Sequence, residues 1–167
     1  MSKPDAVRAR KPKVVSAVAA TPPVMRPSSR SLPMQLMRAR EAVMQRFRPH
    51  LRLHGITDQQ WRIIRLLVEV DALEILDLSE RCCLHAASLS RILPNMEAAG
   101  LIARRTHAQD LRRVIVSITP QGRALFEALA PRSEEIYAEI ARDIGPERLR
   151  QLYRALDETI EALSFKE

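Results

Sequence analysis

A mainly α-helical fold with one small β-hairpin is predicted, a winged helix-turn-helix set between N- and C-terminal helices that form a dimerisation domain. Three observations predict it. Residues 86–119 read as a short amphipathic helix, a glycine stop and two β-branched runs joined by an Arg-dense connector. A helix of that size fits a DNA major groove, and a basic hairpin beside it reaches the backbone or minor groove. Aromatic residues are only 4% of the chain against 46% hydrophobic, so the core must be built from Leu, Ile, Val, Ala and Met, a helical composition. Finally, apolar stripes at helical spacing near both ends are longer than the middle third can cover.

Residues 1–30 combine Pro4, Pro12, Pro22, Pro23 and Pro27 with small and basic residues and carry no usable periodicity. A disordered basic tail is expected there. From Leu32, the positions Leu36, Arg40, Val43, Phe47 and Leu51 advance by three and four, so a first helix is expected, with Pro33 in its first turn and Gly55 at its end. Thr57 and Gln60 form a capping box ahead of Trp61, Ile64, Leu67 and Val68 on one face of a second helix that ends at Asp71 and its neighbours. A short third helix over 75–82 leads to a fourth over 87–99, and Gly100 supplies a left-handed cap. Residues 101–106 and 113–118 have the size and branching of strands joined by six connecting residues. Thr119 and Pro120 then open a long helix with one interruption at Pro131, and Gly145-Pro146 opens the last. The division expected is a tail over 1–30, dimerisation helices over 31–56 and 120–167, and a DNA-binding winged unit over 57–119. A symmetric dimer through the terminal helices is the simplest cover for their stripes.

Charge sharpens the reading. Of the 27 Lys and Arg residues seven lie in residues 1–30 with Asp5 as the only acid, so the folded part is nearly neutral. Any affinity for a polyanion must therefore come from where its arginines sit. No run of about 18 apolar residues spans a bilayer and no secretory h-region opens the chain. A soluble cytoplasmic protein without membrane contact is expected. No phosphate-binding loop, nucleophile motif or catalytic acid pair is present, which argues against an enzyme, and no cofactor is expected.

The fourth helix carries Ser88, Ser90, Arg91 and Asn95 beside an inward face of Leu89, Ile92, Leu93 and Met96. Hydroxyl, guanidinium and amide groups are the types that read base edges and phosphates in double-stranded DNA. Arg104, His107, Gln109, Arg112 and Arg113 in and beside the connector supply the second half of that surface. Arg104 and Arg105 alternate across a strand, so at most one faces DNA, and Asp110 suits an ion pair that holds the loop. Pro94 removes the N–H that would bond the Ser90 carbonyl, and a kink is expected. Cys82 and Cys83 are adjacent and point apart on a helix. His50 and His54 stand at i, i+4 without further ligands in the pattern. Neither pair makes a convincing sensor, and no metal is expected.

Thr57-x-x-Gln60-Trp61, Ser88-Leu89-Ser90-Arg91-Ile92-Leu93, Met96-Glu97-x-x-Gly100-Leu101-Ile102 and Asp110-x-Arg112-Arg113 leading to Val116-Ser117-Ile118-Thr119-x-x-Gly122 together resemble the MarR family of transcriptional regulators. The resemblance covers about 32–164. Arg38-Ala39-Arg40-Glu41-Ala42 and Phe47-Arg48-Pro49 look like the branch that represses homoprotocatechuate and related aromatic-acid catabolism. The resemblance implies a homodimeric repressor whose paired fourth helices enter successive major grooves of a pseudopalindrome, flanked by wings, and which a small aromatic carboxylate releases. It also implies an effector pocket between the dimerisation helices and the winged unit. Arg40 falls between Leu36 and Val43 on what reads as the inward side of the first helix, where a buried guanidinium needs a carboxylate from the protein or a ligand. Arg38 matches the position where some members clamp an aromatic carboxylate. Met44, Phe47, His50 and Trp61 are candidate walls, and each also suits plain core or surface. Two rival readings stay open: a winged-helix module that docks a protein, and a redox- or metal-responsive regulator.

Overall fold

The computed structural model describes residues 25–107 and 110–164, with 111 and 112 as backbone only. The tail expectation falls outside these residues for 1–24, as does Gln109. Within them, Ser28–Arg30 forms a 3-10 turn ahead of α1, Leu32–Leu53. There follow α2 (Asp58–Val70), β1 (Ala72–Glu74), α3 (Ile75–Arg81), α4 (Ala86–Ala98), β2 (Ile102–His107), β3 (Asp110–Ile118), α5 (Pro120–Ile144) and α6 (Pro146–Leu163).

The end signals act as their chemistry requires. The Thr57 hydroxyl accepts from the Gln60 backbone at 3.3 Å and the Gln60 side chain accepts from the Thr57 backbone at 2.9 Å, closing the box at the start of α2. The Thr119 hydroxyl accepts from the Gly122 backbone at 3.0 Å and caps α5. Gly100 has φ +71°, and the sharp exit it permits brings β2 directly under the end of α4.

Three features differ from expectation. The sheet has a third strand: β1 pairs antiparallel with β3 through Ala72↔Ser117, Leu73↔Val116 and Glu74↔Ile115, giving the order β1-β3-β2. The strands of the wing run further out than the six-residue connector implied, with His107 opposite Asp110 across an irregularity in the register. Helix α5 runs unbroken through Pro131, so the expected interruption is absent, and Pro94 likewise lies within a continuous α4.

One core joins all layers. Leu51 of α1, Ile64 and Leu67 of α2, Leu78 of α3, Leu89, Leu93 and Met96 of α4, Ile102 and Val116 of the sheet, and Leu129 and Ile136 of α5 are fully buried in it. Helix α6 contributes no buried residue. Leu152, Tyr153, Ile160 and Leu163 on it, with Leu32, Met34, Leu36 and Met37 at the start of α1, remain exposed in the single chain.

Candidate functional site

Two groups of residues concentrate chemistry, one on the surface of the winged unit and one where α1, α2 and α5 meet. The α3–α4 turn sets the first. Ser79 Oγ donates to the Leu84 carbonyl at 2.5 Å, and the Arg62 guanidinium, reaching across from α2, donates to the Cys82 carbonyl at 2.7 Å. These bonds satisfy carbonyls left open at the end of α3. They hold the turn that aims α4.

Helix α4 buries Leu89, Leu93 and Met96 and turns Ser90, Arg91 and Asn95 to solvent, whereas Ser88 is half-buried. Ser90 Oγ donates to the Ala87 carbonyl at 2.9 Å and Arg91 Nε to the same carbonyl at 3.4 Å, so both rest on their own helix, within reach of anything laid against it. The wing is braced from two sides. Glu97 at the end of α4 accepts from the Arg104 backbone at 3.0 Å and from its guanidinium at 2.6 and 2.8 Å, and that pairing holds the Glu97 carboxyl below the usual carboxylate range. Glu74 of β1 pairs with Arg113 of β3, and the partnership lowers the carboxyl and raises the guanidinium. Asp110 adds to the field on Arg113. Arg104 and Arg113 are therefore brace residues in the free chain, while Arg91 and Arg105 stay exposed with no carboxylate within salt-bridge reach among the described residues. His107 is half-buried at the end of β2. The Arg112 side chain lies outside the described residues.

The second group does not gather the six expected effector residues. Arg40 is a correction: its side chain is 48% exposed, not buried on the inward face, and lies 3.9 Å from Asp58. The apolar stripe of α1 does not enclose its N-terminal half, because Leu36 is itself exposed. Glu41 pairs with Arg48, which also bonds Asp58 at 3.1 Å, and the carboxyl is lowered accordingly while Arg48 is raised. Arg38 is exposed. Arg40 does border an open cleft of about 490 Å³ with Thr57, Asp58, Gln59, Arg62 and Cys83.

Phe47, His50 and Trp61 are buried, and Met44 is half-buried against the same core. His50 Nε2 lies 3.1 Å from the Leu129 carbonyl, which makes that nitrogen a donor and ties α1 to α5. The His54 ring stands edge-on to His50, 5.4 Å between centroids, and no group of three or more metal-capable side chains forms among the described residues. Cys82 is buried, which pushes its thiol up, and Cys83 is exposed. Their side chains diverge as the sequence implied.

Two residues that sequence reasoning missed complete an aromatic cluster. Tyr137 of α5 packs on Phe47 at 4.8 Å, and Trp61 stacks on Phe126 at 5.6 Å with 21° between the rings. Arg65, one turn beyond Trp61, donates to the Tyr137 hydroxyl at 2.6 Å and sits 5.7 Å from its ring. No carboxylate of the described residues pairs with it. It borders a cleft of about 180 Å³ with Arg62, Leu66, Glu69, Arg81 and Cys82. A half-buried guanidinium held by a phenol beside stacked rings suits a planar carboxylate with an aromatic body. The local signal was the spacing Trp61-x-x-x-Arg65 on one helix face, but the partner Tyr137 is 72 residues away.

Comparison with known proteins agrees with this architecture. Residues 56–114 match the model of the MarR family. The chain is 39% identical over 130 residues to the homoprotocatechuate degradative operon repressor of Escherichia coli, covering 78% of this chain and 88% of that protein. It is 41% identical over 128 residues to the HTH-type transcriptional regulator FarR of Neisseria gonorrhoeae, covering 77% and 88%. Among solved structures, that of NadR in complex with 4-hydroxyphenylacetate superposes with a TM-score of 0.69 at 39% identity, covering 81% of this chain and 96% of that one.

Proposed function

The chain belongs to the MarR family of transcriptional regulators, and from that premise we propose that it is a dimeric repressor of an aromatic-acid degradation operon, released from DNA by a small aromatic carboxylate. The observation that carries the reading is the pairing of an exposed polar face on α4 and a braced basic wing with a half-buried Arg65 bonded to Tyr137, which packs on Phe47, one turn from the stacked Trp61 and Phe126. In this reading α4 of each protomer lies in a major groove, presenting Ser90, Arg91 and Asn95 to base edges and phosphates, and the wing contributes Arg105, Arg112 and the neighbouring residues. Exposed apolar side chains on α1 and α6 support an isologous dimer. Two half-sites about one helical turn apart then follow from the two-fold axis.

Arg65 takes the effector's carboxylate, Tyr137 positions the guanidinium, and the stacked rings hold the aromatic body. The neighbours support a ligand of this class, since NadR is solved with 4-hydroxyphenylacetate and the Escherichia coli relative is named for homoprotocatechuate degradation. Arg38 and Arg40 are exposed at the N-terminal half of α1, and neither lines the cleft that Arg65 borders. Ligand between α1, α2 and α5 acts by population shift, favouring the spacing of the two α4 helices that mismatches the operator. Calorimetric titration of 4-hydroxyphenylacetate into the wild-type chain and Arg65→Met tests the assignment. Saturable binding that the substitution weakens about tenfold or more supports it, a charged hydrogen bond being lost. Equal binding by both proteins, or none by the wild type, rejects this site.

A further inference from the structure

Helix α4 carries a feature that its place in the fold does not use. The pole opposite buried Leu89, Leu93 and Met96 consists of Ala87, Arg91, Pro94 and Ala98, all exposed, with Ser90 and Asn95 on its flanks. Three of these four are small, apolar side chains without a donor or acceptor. Pro94 sits inside an unbroken helix, so the Ser90 carbonyl forfeits its backbone partner. The ring itself is exposed. Exposed prolines also lie inside α1 and α5, at Pro49 and Pro131, but only Pro94 stands on the outward pole of the helix that carries Ser90, Arg91 and Asn95.

We propose that Pro94 reads a thymine. In a major groove the C5-methyl of thymine is the apolar group on the floor, and bases otherwise present donors and acceptors. The pyrrolidine ring is the largest apolar surface on the outward pole of α4, and it has no rotamer entropy to lose. Ala87 and Ala98 leave room for the helix to approach, and Arg91 and Asn95 lie beside the ring where a phosphate or purine edge adjoins the methyl. The specificity is for thymine over cytosine and over uracil at one position of each half-site. This inference rests on α4 lying in the major groove, as proposed above.

Deoxyuridine scanning isolates the methyl group. An operator is first selected from random duplex DNA by the full-length chain, and each thymine is then replaced by deoxyuridine. One symmetry-related pair of thymines is expected to matter, with about a fourfold loss of affinity for each methyl removed. Pro94→Ser, whose helical content is checked by circular dichroism, should bind the thymine and deoxyuridine operators equally, and Pro94→Ala should keep only part of the difference. Insensitivity at every thymine overturns the inference. So does a penalty that Pro94→Ser leaves intact, which assigns the contact to Ala87 or Ala98. If no sequence is enriched in the selection, the DNA-binding reading itself fails and takes the inference with it.

Discussion

Glu97 holds the wing to α4 through three hydrogen bonds from Arg104, adding a polar brace to the core contacts that join the two elements. Its pKa is lowered from 4.5, first by the bonded guanidinium and then by the backbone bond and the field of the same residue. A lowered folded-state pKa means that the contribution is complete above the unfolded value and fades as pH falls below it. The urea midpoint should therefore drop as pH falls below 4.5, and Glu97→Gln should flatten that drop. An unchanged acid limb in the variant excludes the brace as its source. Arg91 differs from Arg104 in having no carboxylate within salt-bridge reach among the described residues. Replacing Arg91 with Ala should weaken DNA binding and reduce the slope of log affinity against log salt by about one, as for a lost phosphate contact. An unchanged slope moves Arg91 off the backbone.

At the scale of elements, the sequence carries strong local punctuation and weak long-range information. Thr57–Gln60, Thr119–Pro120 and Gly100 each act within a few residues, so the boundaries of α2, α4 and α5 were legible from spacing alone. Strand β1 was not. It has three residues, and its partner in β3 lies beyond α3, α4 and β2 in the chain, so no local period announces it. Arg40 was misplaced for a related reason: helical spacing identifies a face, but only packing decides how far along the helix that face is covered. The same limit hid Arg65, because its phenol partner is on α5. Pro131 supplies a test at this scale. It is exposed inside the continuous α5, so Pro131→Ala restores a backbone donor and should stabilise the protein by roughly 1–3 kcal/mol in urea unfolding. A loss of stability would mean that the ring has a packing role.

For the whole molecule, the proposed function assigns DNA contact and ligand contact to different groups of residues. The wing is tied to α4 through Arg104 and Glu97, whereas Arg65 ties α2 to α5 through Tyr137 and Arg62, on the same helix, fastens the turn after α3. Leu152, Tyr153, Ile160 and Leu163 give α6 an exposed apolar face, and removing residues 146–163 should convert a dimer to a monomer or an aggregate in analytical ultracentrifugation. A truncated chain that stays dimeric would place the interface elsewhere. No described helix is long and apolar enough to cross a membrane. The composition had already left the folded part nearly neutral, and the fold puts Arg91 and Arg105 on the exposed surface of the winged unit. The most direct test of regulated DNA binding is fluorescence anisotropy of a selected operator titrated with the full-length chain, at fixed salt, with and without saturating 4-hydroxyphenylacetate. The account predicts nanomolar-range specific binding over competitor DNA, weakened by about tenfold or more by the acid in the wild type but not in Arg65→Met. Affinity that the acid leaves unchanged in the wild type, or lowers equally in both proteins, contradicts it.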